Sequence, residues 1–108
     1  MLENEFQKKL IKEIKERFPD SIVLKNDANY IQGIPDLTIL YEDKWATLEV
    51  KNSTKASHQP NQDYYVSEMN KMSFSSFIFP ENKEDVLNAL ERSFKGSAER
   101  RARTSKCK

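Results

Sequence analysis

The chain has 108 residues, 37% hydrophobic and 32% charged, with a formal net charge of +1; that is the length of one domain, with apolar side chains enough for one core. No apolar run approaches the roughly 20 residues of a membrane helix, and the charged, amphipathic N-terminus lacks the apolar centre of a signal peptide. One cysteine, one histidine and two glycines exclude an internal disulfide framework, a His/Cys metal cluster and a glycine-rich phosphate loop. A small, soluble, cytoplasmic domain is expected, and its chemistry must come from carboxylates, lysines and hydroxyls.

In chain order, residues 3–18 read as an amphipathic helix. Phe6, Leu10, Ile11, Ile14 and Phe18 recur at helical spacing, Lys8, Lys9, Lys12, Lys15 and Glu16 face elsewhere, and Pro19-Asp20 stops it. Ser21 to Lys25 is a short apolar run of strand type, and Asn26 to Gly33 is a polar, turn-rich loop. Leu37 to Tyr41 and Trp45 to Lys51 read as two strands joined by a turn over Glu42, Asp43 and Lys44. Asn52 to Pro60 is a second loop. Gln62 to Met72 reads as a helix with Tyr65, Met69 and Met72 on one face, Phe74 to Phe79 as a strand ended by Pro80, and Asn82 to Phe94 as a last helix carrying Val86, Leu87 and Leu90. The order α-β-β-β-α-β-α, with a tight central hairpin and a helical crossover into the last strand, predicts an α/β fold with a mixed sheet flanked by helices. One domain is expected over residues 1–94, followed by a basic, flexible tail over 95–108.

Charge is uneven along the chain. Residues 95–108 carry Lys95, Arg100, Arg101, Arg103, Lys106 and Lys108 against Glu99, a net +5, and residues 1–94 carry twelve Lys/Arg against sixteen Asp/Glu, a net −4. An acidic globule with a basic end suits a carboxylate metal site and an arm that meets polyanions; the end reads equally as a solvated tail.

The most informative stretch is Gly33-Ile-Pro-Asp36 followed by Glu49-Val-Lys51. Strand alternation puts Glu49 and Lys51 on one face and Leu48 and Val50 on the other. A two-residue hairpin loop at 42–43 sets Asp36 opposite Glu49, and one at 43–44 sets it opposite Lys51; both bring Asp36 onto the face of Glu49 and Lys51. Two adjacent carboxylates repel, and a hard, oxygen-seeking cation such as Mg²⁺ or Mn²⁺ relieves that repulsion. Such a cation polarises a phosphoryl oxygen and acidifies water, while a neighbouring lysine orients the water or neutralises charge developing on the phosphate. These are the parts for phosphodiester hydrolysis; the same three residues also suit an ordinary salt-bridged sheet face. A second Pro-Asp, Pro19-Asp20, sits at a helix end and reads as a turn.

Gly33-Ile-Pro-Asp36, then Leu48-Glu-Val-Lys51, then a Ser/Gln loop leading into a helix, resembles the PD-(D/E)XK nuclease superfamily. Within it the chain is similar to the small stand-alone VRR-NUC nucleases of phages and bacteria and, more distantly, to archaeal-type Holliday junction resolvases. The resemblance covers residues 3–90 and leaves the tail out. It implies a restriction-endonuclease-like core and a Mg²⁺-dependent DNA endonuclease, with Mn²⁺ as a substitute, acting in the cytoplasm (the host's, for a phage protein). On the matching positions it implies Asp36, Glu49 and the Val50 carbonyl as metal ligands and Lys51 as the catalytic lysine. The family usually adds a first-helix glutamate. Among Glu3, Glu5, Glu13 and Glu16, Glu3 shares the face of Phe6, Leu10 and Ile14 and is chosen, with Glu5 second. The family's glutamine near the start of the second helix matches Gln62, with Gln59 the alternative; a plain helix N-terminal residue is an equal reading of it. Lys25, Tyr30, Arg100, Arg101 and Arg103 are the candidate DNA contacts. Tyr64 is open and Tyr65 is read as core. His58 reads as a loop residue and Cys107 as inert. The resemblance also implies a homodimer acting on branched DNA, because resolving a four-way junction takes two paired cuts. A different class, a catalytically silent nucleic-acid-binding module on the same fold, needs neither the carboxylates nor the lysine; a nicking or exonuclease component shares the chemistry and differs in substrate.

Overall fold

The computed structural model describes residues 2–106, with side chains through Lys95. Its elements are α1 (Glu3–Arg17), β1 (Ile22–Lys25), β2 (Leu37–Tyr41), β3 (Lys44–Val50), α2 (Pro60–Met72), β4 (Phe74–Ile78) and α3 (Lys83–Lys106). The protein is therefore α/β in the expected order. One four-stranded sheet runs β1-β2-β3-β4, with the first two pairings antiparallel and β3–β4 parallel. The parallel pair follows from the chain itself, because α2 carries it back across the sheet between β3 and β4.

The sheet is covered on both faces along β3, and that strand shows it. Ala46 through Val50 are all buried, where a strand covered on one face alternates. On one face Leu37, Ile39, Ala46, Leu48, Val50 and Ile78 meet Phe6, Leu10 and Ile14 of α1 and Val86, Leu87, Leu90 and Phe94 of α3. The i, i+4 spacing of Phe6, Leu10 and Ile14 is the stripe that drives α1 onto the sheet. Phe18, Tyr41 and Phe94 close the hairpin end of this core with ring centroids 5.3–5.4 Å apart. Lys83 to Glu13 at 2.9 Å and Arg17 to Glu84 at 3.2 Å tie α1 to α3.

The opposite face is covered by α2 over β3 and β4 only. It carries Thr47 and Ser75, whose hydroxyls pair at 2.7 Å. Over β1 and β2 this face is open: Ile22 pairs with Leu40, Leu24 pairs with Thr38, and all three apolar side chains are exposed.

Several expectations need correcting. The last helix does not stop at Phe94. Its backbone continues through Gly96 to Lys106, since one glycine costs a helix only about 1 kcal/mol and Ser97–Arg103 contains no further breaker. Cys107 and Lys108 lie outside the described residues. The second helix begins two residues earlier than Gln62, at Pro60, where proline is preorganised for a first turn. Met72 does not join a buried face; it is 73% exposed, Tyr65 is half-buried, and no residue of α2 is fully buried.

The hairpin closes with Tyr41 opposite Lys44, so Glu42 and Asp43 form a two-residue loop. Glu42 sits at φ +56°, a left-handed conformation that costs a residue with a Cβ about 1–2 kcal/mol. Glu42→Gly should therefore stabilise the protein by about 0.5–1 kcal/mol in urea unfolding, the glycine's greater freedom when unfolded offsetting part of the gain.

Candidate active site

The loop at 42–43 selects between the two registers the sequence permits. Leu37 lies opposite Leu48, so Asp36, one residue outside the strand, stands beside Glu49. Its carboxylate replaces the missing strand partner: Asp36 Oδ2 accepts the Val50 N–H at 2.8 Å. Because that N–H points towards β2 and the Lys51 N–H points the other way, to the Ile78 carbonyl, the Val50 carbonyl also points towards β2. The residue next in register there is Pro35, which has no N–H to offer it. The Pro35 carbonyl and the Thr38 hydroxyl are each held by the Asn26 side-chain amide at 2.8 Å. Sequence reasoning passed over Asn26, although a polar residue following a strand and preceding a turn is the signal for such a brace.

Glu49 is 3% exposed and Lys51 7% exposed. Their direct ion pair is long, 3.9 Å, and Gln62 fills the gap. Lys51 Nζ donates to Gln62 Oε1 at 2.8 Å, and Gln62 Nε2 donates to Glu49 Oε2 at 3.2 Å. Gln62 Oε1 also accepts the Gln59 N–H at 3.0 Å, completing a capping box whose other half is the Gln59 side chain on the Gln62 backbone N–H. The two glutamines offered as alternatives by the sequence thus work together: Gln59 starts the helix, and Gln62 both caps it and bridges lysine to carboxylate.

Glu49 Oε1 has no hydrogen-bond partner among the described residues, although it is buried. Burial first, then the Asp36 carboxylate beside it, pushes the Glu49 carboxyl up to about 8. Glu3 is drawn into the same field. Its carboxyl is raised by burial and by Asp36 and lowered in part by Lys51, so the helix face of Phe6, Leu10 and Ile14 does deliver Glu3 towards the cluster.

Among the described residues no group of three or more His, Cys, Asp and Glu side chains converges as a ready-made metal cage. What does converge is two carboxylates and a carbonyl without a ladder donor, a partial oxygen set of the kind Mg²⁺ completes with water. The orphaned Glu49 oxygen is the observation that fits a cation. It is a buried acceptor beside a second carboxylate, raised by burial and by Asp36 even with Lys51 at 3.9 Å.

The remaining sequence candidates are dispersed. Lys25 pairs with Leu37 and so lies on the face opposite Asp36 and Glu49; strand alternation takes it away from the site. Tyr30 is 84% exposed on the loop before Gly33. The backbones of Arg100, Arg101 and Arg103 lie in α3, and their side chains are outside those described. His58, read as a bare loop residue, stacks on Phe77 at 4.0 Å and meets Asp63 at 3.1 Å. Phe77 is the β4 neighbour of Glu49, so His58 pins the 52–59 loop beside the site, a contact with no signature in local sequence.

Against known proteins, no family model, no curated protein and no solved structure matches this chain.

The raised Glu49 carboxyl has a measurable consequence. Where the folded protein holds a proton that the unfolded chain releases, stability falls with rising pH. In EDTA the protein should lose stability progressively between about pH 4.5 and 8, by a few kcal/mol. Glu49→Gln should flatten that slope and raise the melting temperature at pH 8. Millimolar Mg²⁺ or Mn²⁺ should restore stability to the parent protein at pH 8 and do little for the variant. Thermal melts across pH, with and without metal, check both.

Proposed function

We propose that the protein is a metal-dependent DNA endonuclease with a restriction-endonuclease-like core, of the PD-(D/E)XK type that its Gly33–Asp36 and Leu48–Lys51 segments resemble. The observation that carries the reading is the buried Glu49 carboxylate beside Asp36, with one oxygen orphaned and a lysine held at fixed range by Gln62. A salt-bridged surface patch, the ordinary alternative, does not bury a carboxylate next to a second one and leave it short of partners.

Asp36, Glu49 and the Val50 carbonyl are the residues that would hold a divalent cation. Bound there, Mg²⁺ or Mn²⁺ supplies Lewis-acid polarisation of a phosphoryl oxygen and lowers the pKa of water. The chain's own residues do the rest. Lys51 Nζ, an ammonium with one donor committed to Gln62, keeps others to orient a water or to meet charge developing on the phosphate. Gln62 acts through Lys51 and Glu49 and is a positioning residue. Glu3, on the first turn of α1, adds a third carboxylate at the rim, where it can accept a proton or a water. The Asp36 carboxylate accepts the Val50 N–H, so the constellation is preorganised on strand ends rather than on a free loop.

The substrate in this reading is branched DNA and the acting species a homodimer, since one chain carries one site and a junction takes two cuts. The open half of the sheet supports a second copy as the partner: Ile22, Leu24 and Leu40 form an exposed apolar strip along the free edge made by β1.

Asp36→Asn or Glu49→Gln should reduce cleavage of labelled DNA in Mg²⁺ by at least about a hundredfold while leaving the circular dichroism spectrum and melting cooperativity intact, because each keeps the shape and an acceptor oxygen, including the one that takes the Val50 N–H, while removing the carboxylate charge. Full activity in either variant would overturn the assignment. Sedimentation velocity should find a dimer that Leu24→Lys converts to a monomer. The monomer should still nick DNA but lose paired cuts on a four-way junction, and a wild-type monomer would discard the dimer.

A further inference from the structure

Beside the carboxylates lies a second feature that the hydrolytic chemistry does not use. A cavity of about 260 Å³ opens between the Asn26–Gly33 loop and the start of α2, lined by Gln32, Gly33, Gln59, Pro60, Asn61 and Gln62. It falls below the roughly 300–1,000 Å³ of clefts for drug-sized ligands and is of the size of one small heterocycle. Its wall is built closely. Gly33, at φ +90°, approaches Asn61 so tightly that a Cβ on it would stand 2.3 Å from the Asn61 Cβ, so the loop and the helix start are fitted to each other there.

The chemistry of the lining is narrow. Four of the lining residues are carboxamides and, among the described residues that line it, none is ionisable. That disfavours a phosphate as its ligand, because an anion needs a basic side chain or an unfilled set of N–H donors, and the Gln62 backbone N–H is already taken by its cap. A carboxamide offers an acceptor and two donors in one plane, the complement of a nucleobase edge. Two of the four, Gln32 and Asn61, have side chains with no hydrogen bond to any described residue, whereas Gln59 and Gln62 are engaged in the capping box. Pro60 adds a flat apolar surface. Tyr30, 84% exposed two residues before Gln32, is a stacking surface on the same loop.

We propose that this cavity receives one unpaired nucleobase of the strand whose phosphate lies at Asp36, Glu49 and Lys51, read by the amides of Gln32 and Asn61. The inference rests on the nuclease reading and deepens it by naming the substrate feature that is recognised. The link is Gln62, which lines the cavity and holds Lys51 and Glu49 with its side-chain amide, so cavity and phosphate site are neighbours. A base stacked and paired in a duplex cannot enter, because its edge is occupied and it lies inside the helix; a base at a bulge, a branch point or a single strand enters at little unstacking cost. Selectivity for branched DNA then arises within one subunit, before any dimer geometry applies.

The test is equilibrium binding of the full chain, in Ca²⁺ to limit hydrolysis, to three fluorescent duplexes: fully paired, carrying one unpaired adenine, and carrying one unpaired abasic nucleotide at the same position. Binding to the unpaired adenine should be about tenfold tighter than to the abasic site. Gln32→Ala and Asn61→Ala should each remove most of that difference while leaving affinity for the abasic and paired duplexes unchanged. Cleavage in Mg²⁺ is measured on the same duplexes. Equal affinity for adenine and abasic sites, or an undiminished preference in both variants, overturns the base pocket, and the nuclease reading survives if cleavage persists. Absence of both binding and cleavage on all three duplexes overturns the nuclease reading and the pocket with it.

Discussion

The arrangement turns on an unfavourable burial: a glutamate side chain, 3% exposed, set beside an aspartate where two paired strands end. Left alone, that pair is among the least favourable placements a fold can make, and the protein answers it with a proton, pushing the Glu49 carboxyl up to about 8. The surrounding contacts follow from it. Lys51 stands near but not against Glu49, at 3.9 Å, and Gln62 spans the distance. A tight Lys–Glu pair would satisfy Glu49 and leave no open carboxylate oxygen. The glutamine bridge keeps the lysine close and its remaining donors available.

Gln62 also makes the second helix answerable to the site. Its side-chain oxygen accepts both the Lys51 ammonium and the Gln59 N–H, so the start of α2 and the end of β3 share one acceptor. α2 buries no residue fully, and its position relies on this capping contact, on Met69 over Thr47 and on Pro60 at its first turn. A helix held by polar contacts at its N-terminus, with an exposed Met72 at its far end, is anchored beside Glu49 and Lys51 and loosely packed away from them.

Much of this was legible in the sequence, for identifiable reasons. The stripe of Phe6, Leu10 and Ile14 marks the buried face of α1, and helix geometry then singles out Glu3 from its neighbours. Period-two alternation and a short turn bring Asp36 to the Glu49 face whichever two-residue loop closes the hairpin. What stayed hidden depends on longer connections. Lys25 falls on the wrong face because the β1–β2 register is set across a long loop that spacing cannot decide. His58 finds Phe77 through a loop whose path local sequence does not encode. The continuation of α3 past Gly96 is a case of weak propensity overridden by good helix formers around it.

The proline before Asp36 illustrates why the pattern takes the form it does. An aspartate at the mouth of a strand, opposite a buried glutamate, would ordinarily be followed down the ladder by a residue whose N–H satisfies the Val50 carbonyl. Proline removes that donor, and the Asp36 side chain takes the Val50 N–H in its place. The strand therefore ends with its donor satisfied and its acceptor open, next to two carboxylates. Asn26 holds the Pro35 carbonyl from the neighbouring strand's end, so the turn is braced rather than frayed. A single N–H missing by covalent structure thus leaves the last rung of a β-ladder with an open acceptor. The same backbone break starts where the Gly33 turn brings the loop against α2, which links the shape of the amide-lined cavity to the position of the acidic pair through three residues of chain.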